Sequence, residues 1–361
     1  MFVVGAAMFY TGLAQAIGEK VVHIFGTGEN SLMLGLMLVG TALSSVLSNT
    51  GTCACLMPVA LGICAASKNT ASRQLLPMAY ACGWGGIITL VGTPPNIIGS
   101  GALTAAGLPG FSFFEFAWIG IPLSVAGILY MLLIGKYLLP KAELDADQEI
   151  EQEIEATTHD KKKQVISGVI LLACVTVMAL NLKFISLEMT AIIGALVCVL
   201  TGCLTEKQAY SSIDWVTIFL FAGMMPVSTA MDKTGAGKLI ANWAVGLMGG
   251  EPTPLIVTIV LFSISCFLTQ FMSNTASAAL LCPIGIAIAK QLNADPKAVV
   301  MAIAVAASCA FATPVGTPPC TLVLGPGGYK FMDYVKCGTG LVLVCFVVSL
   351  IVIPMVWPFF H

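Results

Sequence analysis

From Ser31 to Ser67 the chain carries no charged residue. Drawn as a single α-helix, that stretch would reach ~55 Å, nearly twice the ~30 Å hydrocarbon thickness of a bilayer. Residues 75–106 and 255–289 pose the same problem. Apolar stretches this long fold back, break or tilt strongly, and the sequence shows where. Ser48-Asn49-Thr50-Gly51 lies at the midpoint of 31–67, and Ser273-Asn274-Thr275 at the midpoint of 255–289. Gly92-Thr93-Pro94-Pro95-Asn96 interrupts 75–106, and Gly316-Thr317-Pro318-Pro319 interrupts 298–324.

These interruptions form a repeat. Ser48 and Ser273 are 225 positions apart, as are Pro58 and Pro283, while Gly92 and Gly316 are 224 apart. Thr11-Gly12 and Thr234-Gly235 extend the pattern at an offset of 223. The expected fold is an all-α polytopic membrane protein with inverted-topology repeats, each holding a re-entrant hairpin and a broken transmembrane helix. Inversion follows from parity. A re-entrant hairpin leaves on the side it entered, and an odd number of crossings separates the two hairpins: 75–106, 113–139, 165–182, 186–204 and 215–230. The hairpins then enter from opposite faces, a plan common among secondary transporters.

The first repeat is expected over 1–139: a span in 1–17, the hairpin 31–67, the broken helix 75–106 and a span at 113–139. A charged linker follows at 140–164. The second half, 165–361, holds spans at 165–182, 186–204 and 215–230, the hairpin 255–289, the broken helix 298–324 and a final span at 338–358. Of the 16 Lys and Arg residues, 11 fall in loops on the side of the first hairpin. The bias of Lys and Arg toward the cytoplasm places that hairpin and the linker on the cytoplasmic side.

Composition excludes the other classes. Charged residues make up 9% and apolar ones 58%, with a mean hydropathy of +0.95, whereas a soluble domain has roughly 25% charged residues. A disordered chain needs the reverse composition. A net charge of −2 with a single arginine, Arg73, leaves no electrostatic footprint for nucleic acid. The 13 Cys sit mostly in apolar runs without zinc-like spacing and read as small packing residues. The start, MFVVGAAMFYTG, has no basic segment and reads as a chain beginning inside a span.

Irregular backbone at membrane depth survives only inside protein or beside a wet cavity, so the interruptions mark an internal polar site. Thr93-Pro94 and Thr317-Pro318 each suit the start of a new half-helix, with Thr as N-cap and Pro in the first turn. Proline disfavours the helical conformation before it, so the incoming half-helix is expected to end near Val91-Gly92. Half-helix N-termini present N–H groups and a positive dipole end to an anion. Half-helix C-termini, together with hydroxyl and amide oxygens, suit a small hard cation. The motif segments hold no Asp or Glu, which favours Na⁺ over a proton relay.

As a set, SNT at 48–50, GTPPN at 92–96, SNT at 273–275, GTPP at 316–319 and GPGGYKFMDY at 325–334 resemble the divalent anion:sodium symporter family, which carries dicarboxylates, citrate and sulfate. The resemblance covers essentially the whole chain. It implies a homodimer with a scaffold domain and a transport domain that moves as an elevator. It implies one sodium site at Ser44, Ser48, Asn49 and Gly92, and another at Thr269, Met272 (through its backbone), Asn274 and Gly316. It implies substrate contacts from Ser48, Asn49, Thr50, Thr93 and Pro94 in one half, and from Ser273, Asn274, Thr275, Thr317 and Pro318 in the other. Ser44 and Thr269 each stand four residues before an SNT serine, one helical turn back from the tip. The chain departs from the family in starting about three helices late, and in having Cys320 where the first half has Asn96.

The expected function is sodium-coupled symport of a divalent anion, such as succinate, malate, citrate or sulfate, across the cell (inner or plasma) membrane. Na⁺ is the coupling ion, with no organic cofactor, no nucleic acid and no enzymatic activity expected. The alternatives are an anion exchanger, an arsenite or Na⁺/H⁺ carrier of the same superfamily, and a non-transporting subunit or fragment.

Overall fold

A computed structural model describes residues 1–26, 28–67, 69–140, 160–180, 185–247 and 253–358. Most of the linker expected at 140–164 lies outside these. The described residues form helices and short turns, with no strand among them. The first apolar stretch is divided into α1 (Phe2–Tyr10) and α2 (Leu13–Phe25). Gly12 lies between them at φ 74°, a conformation that costs glycine little.

The stretch 31–67 becomes α3 (Glu29–Ser44) and α4 (Asn49–Ser67). Then come α5 (Leu75–Gly85) and α6 (Pro94–Ala105). At 11 and 12 residues, each is ~17 Å long, about half a crossing. Next, α7 (Ala117–Tyr130) runs through a π turn, Met131–Gly135, into α8 (Lys136–Leu138). Beyond the linker come α9 (Lys161–Leu180), α10 (Leu187–Leu200), α11 (Glu206–Ser211), α12 (Trp215–Thr234) and α13 (Ala236–Leu247). The second hairpin is α14 (Pro254–Leu268) and α15 (Asn274–Gln291). The second broken helix is α16 (Pro296–Ala307) and α17 (Pro318–Leu324), and α18 (Phe331–Val356) ends the described chain. Among the described residues, α4, α7 with α8, α9 and α18 are long and apolar enough to cross a membrane.

The chain folds into two compact units, and they do not coincide with the halves 1–139 and 165–361. One comprises Met1–Gly86, Met131–Asp214 and Pro318–Asp333. In it α5 packs against α3, α4 and α17, while α2 covers α3 and α4. Gly85 allows α3 to approach closely: a Cβ there would stand 2.6 Å from Thr41 O. The neighbouring Trp84 Nε1 donates to Thr41 Oγ1 at 2.8 Å. Tyr329, beyond α17, ties down the start of α5. Its hydroxyl accepts from Leu76 N at 2.8 Å, an N–H with no partner inside its own helix, and donates to Ser72 O at 2.5 Å.

The other unit comprises Ile87–Tyr130, Trp215–Thr317 and Tyr334–His361. Here α16 packs against α14, α15 and α6, and α15 also meets α6, α12 and α13. Glu115, in the turn before α7, bonds Lys297 Nζ at 2.6 Å and accepts from Trp357 Nε1 at 3.0 Å and Ser112 N at 2.9 Å. Burial opposes its ionisation. The hydrogen bonds from Lys297, Trp357 and Ser112, with the lysine's charge, outweigh that and hold its carboxyl below the usual range.

Each unit thus holds one hairpin, the first arm of the same repeat's broken helix, and the second arm of the other repeat's broken helix. None of the 13 cysteines is in a disulfide, and all but the half-buried Cys55 are buried.

Candidate functional site

Ser44 ends α3 and Asn49 begins α4, with only Ser45–Ser48 between them. The turn holds because Ser48 caps the new helix: its Oγ accepts from Gly51 N at 3.0 Å. Ser44 is fully buried. Its Oγ lies 2.6 Å from Asn49 Oδ1 and 2.7 Å from Cys82 O, a carbonyl in the last turn of α5. Gly86 makes room for that amide. A Cβ there would fall 2.8 Å from Asn49 Nδ2 and nearer still to Oδ1.

The second hairpin repeats the cap and the hydroxyl contacts. Ser273 caps α15 by accepting from Ala276 N at 3.1 Å. Thr269, also fully buried, places Oγ1 2.7 Å from Asn274 Oδ1 and 2.6 Å from Ala307 O, at the end of α16. All three positions of this set, 44/269, 49/274 and 82/307, are related by 225. In both repeats a buried hydroxyl lies within reach of both a carboxamide oxygen and a helix-terminal carbonyl. No Asp, Glu, Lys or Arg occurs in 44–50, 82–96, 269–275 or 307–319, so the electrostatics rest on dipoles.

The other sequence candidates fall as follows. Ser48, Thr50 and Ser273 are exposed at the hairpin tips, Met272 is half-buried and Thr275 is buried. In the unit of the second hairpin, Gly316 folds against Ala310 and Thr313. A Cβ on it would lie 2.8 Å from Ala310 Cβ and 3.2 Å from Thr313 Oγ1, and Thr313 Oγ1 donates to Gln270 O at 2.6 Å. Thr317 is buried in that unit, whereas Pro318 begins the third segment of the other. Gly92, Thr93 and Pro94 belong to the unit of the second hairpin, not to that of Ser44 and Asn49. Thr93 is the N-cap residue of α6, in extended conformation, with proline in the first turn.

One expectation is corrected. The first half-helix does not run to Val91-Gly92 but ends at Gly85, followed by a 3-10 turn over Gly86–Ile88. Gly83-Trp84-Gly85-Gly86 is a weak helix former, and the missing side chain of Gly85 is what lets Thr41 approach. The break is therefore longer than the Gly-Thr-Pro-Pro motif. The residues that sequence reasoning missed are Cys82 and Ala307, which act through main-chain oxygens, and Gly86, Asn96 and Gln270. Applying the 225 offset to every position of the first half-helices would have paired the two carbonyls. Nothing in the pattern marks Gln270.

Residues 1–262 and 177–360 match the family profile described as Citrate transporter (CitMHS). An uncharacterized transporter of Haemophilus influenzae is 34% identical, over 99% of this chain and 79% of its own. The sodium-dependent dicarboxylate transporter SdcS of Staphylococcus saprophyticus is 25% identical, over 99% of this chain and 75% of its own. Among solved structures, the Alcanivorax borkumensis YdaH transporter, described as having an unusual topology, superposes with a TM-score of 0.66. That match covers 98% of this chain and 84% of the other at 15% identity, a likeness of fold. The chain is an integral, multi-pass membrane transporter, not an enzyme, and it belongs to the citrate transporter family.

Proposed function

We propose that this protein is a sodium-coupled symporter of a divalent anion, a C4-dicarboxylate such as succinate or malate, or citrate or sulfate. The observation that carries the reading is the duplicated oxygen cluster at the hairpin tips. A hydroxyl has one proton, yet Ser44 Oγ and Thr269 Oγ1 each lie within 2.7 Å of two carbonyl-type oxygens. A small cation suits that crowding. The hydroxyl donates to the helix-terminal carbonyl and turns its lone pairs, with the amide oxygen, toward Na⁺. With the carboxamide turned over, Nδ2 would donate to the hydroxyl instead; Asn274→Asp separates the two arrangements, strengthening Na⁺ binding in the first and weakening it in the second.

The uncharged site makes the coupling physical. Bound Na⁺ supplies the positive charge that a dianion needs in the absence of any nearby Lys or Arg. The N-termini of α6 and α15, within one unit, add donors and dipoles, each worth up to ~2 kcal/mol, against the roughly 4–8 kcal/mol of millimolar to micromolar binding. In this reading Ser44, Ser48, Asn49 and Gly92 serve one sodium, and Thr269, Met272, Asn274 and Gly316 the other. Thr50, Thr93, Pro94, Ser273, Thr275, Thr317 and Pro318 face the anion. The repeats are inverted, the working unit is a homodimer in the cell membrane, and the site moves by an elevator mechanism. The sodium-dependent dicarboxylate relative supports the choice of ion and anion. Purified protein in liposomes should accumulate labelled succinate, citrate or sulfate only under an inward Na⁺ gradient. Uptake indifferent to Na⁺, or counterflow without it, overturns the reading.

A further inference from the structure

Gln270 directly follows Thr269 and is 7% exposed. Its side chain reaches across to the unwound stretch of the second broken helix. Nε2 donates to Cys309 O at 3.0 Å and to Cys266 O at 2.8 Å, and Oε1 accepts from Ala312 N at 3.0 Å. Its main-chain carbonyl accepts from Thr313 Oγ1 at 2.6 Å. The partners set the amide's orientation, because two carbonyls demand the NH₂ end and one N–H demands the oxygen. The hairpin tip and residues 309–313 are thereby joined, and Gly316 folds back onto Ala310 and Thr313.

The first repeat has no carboxamide at the matching position. The position 225 earlier is Ser45, whose hydroxyl donates to Ala42 O at 2.7 Å, within its own hairpin arm. There the carboxamide comes from the other side of the break: Asn96 Nδ2, in α6, donates to Thr89 O at 2.8 Å. The position 224 beyond Asn96 is Cys320, which has no carboxamide. Each unwound stretch is therefore braced by one amide side chain, taken from opposite sides of the break in the two repeats.

We infer that Gln270 is the positioning residue of the second sodium site, holding the stretch that carries Gly316 in register with Thr269 and Asn274. The inference rests on the sodium reading above and adds a residue that touches no ion. Groups that orient a metal's ligands typically change its affinity ten- to hundredfold when removed. Gln270→Met keeps length and removes every polar atom. In proteoliposomes it should raise the sodium concentration for half-maximal uptake by about ten- to hundredfold. The anion KM and maximal rate at saturating Na⁺ should stay within about threefold.

Gln270→Asn gives a second, independent readout. It keeps the carboxamide but shortens the reach to Cys309 O and Ala312 N, which stand 3.0 Å from the longer side chain. This variant too should raise the sodium concentration for half-maximal uptake while leaving the anion KM at saturating Na⁺ within about threefold. Ser45→Ala should leave sodium half-saturation unchanged. If Gln270→Met does not fold, Gln270→Asn decides. Wild-type sodium affinity in the Met variant, or in the Asn variant, overturns the inference while leaving sodium coupling intact. So does an equal shift in Ser45→Ala. A wild-type protein indifferent to Na⁺ overturns the functional reading, and this inference with it.

Discussion

Thr269→Val tests the oxygen cluster most directly. Valine keeps the branched shape of a fully buried side chain and puts a methyl group in place of the hydroxyl Oγ1, which lies 2.6 Å from Ala307 O and 2.7 Å from Asn274 Oδ1. Leaving buried polar groups without such a partner costs about 1–3 kcal/mol. If that loss falls on cation binding, the sodium half-saturation rises roughly 5- to 150-fold, at ~1.4 kcal/mol per factor of ten. Thermal stabilisation by Na⁺ in detergent gives a second measure that does not depend on transport. At a concentration of about 100 Kd, Na⁺ stabilises the wild type by ~2.7 kcal/mol, and a 30-fold weaker variant at the same concentration by only ~0.9 kcal/mol. Thr269→Ser restores the oxygen and should restore both readouts. The reasoning is refuted if the valine variant folds and keeps the wild-type sodium half-saturation and thermal shift.

Gly86→Ala should displace the Asn49 amide, because the added Cβ would fall 2.8 Å from Nδ2 and nearer to Oδ1. Overpacking of this kind costs about 1–3 kcal/mol, and sodium titration of uptake should shift to higher concentration. Tyr329→Phe removes the acceptor for Leu76 N and the donor to Ser72 O. It should lower stability by about 1–3 kcal/mol in a thermal melt. Glu115 titrates below its ordinary value of 4.5 in the fold, so the unfolded chain binds the extra proton first as pH falls. Its contribution is complete above the ordinary value and disappears as pH falls through the lowered one. Glu115→Gln should flatten the thermal midpoint against pH in that acid window, and an unchanged slope would remove Glu115 as its source.

The fold class was legible because two physical limits are visible in the residues. Stretches too long for one crossing must break, and Ser-Asn-Thr and Gly-Thr-Pro-Pro name the places. Ser44 and Thr269 were reachable by helical spacing from the tip serines. Cys82 and Ala307 were not, since any residue type supplies the same carbonyl. Gln270 was hidden for a different reason: its role depends on residues 309–313, two to six positions past the end of α16, and its repeat counterpart is a serine. The length of the first break was misjudged because the motif's proline was taken as its limit. The glycines of 83–86, which permit α3 to approach, had already ended the helix.

The pairing of half-helices shows why the duplicated motifs stand where they do. A hairpin tip needs a helix-terminal carbonyl to complete its oxygen cluster, and α5 and α16 bring Cys82 O and Ala307 O to their own repeat's hairpin. The second arms go elsewhere: α6 packs on α15 and α16, and α17 on α4 and α5. The chain therefore changes units inside each broken helix, between Gly86 and Ile87 and between Thr317 and Pro318. A continuous helix could not make that change without sacrificing main-chain hydrogen bonds in a setting where each costs several kcal/mol. Breaking the helix, and bracing the gap with Asn96 in one repeat and Gln270 in the other, meets the topological need. The same break sets a helix-end carbonyl beside each buried hydroxyl, so substitutions that straighten either gap should cost packing and cation binding together.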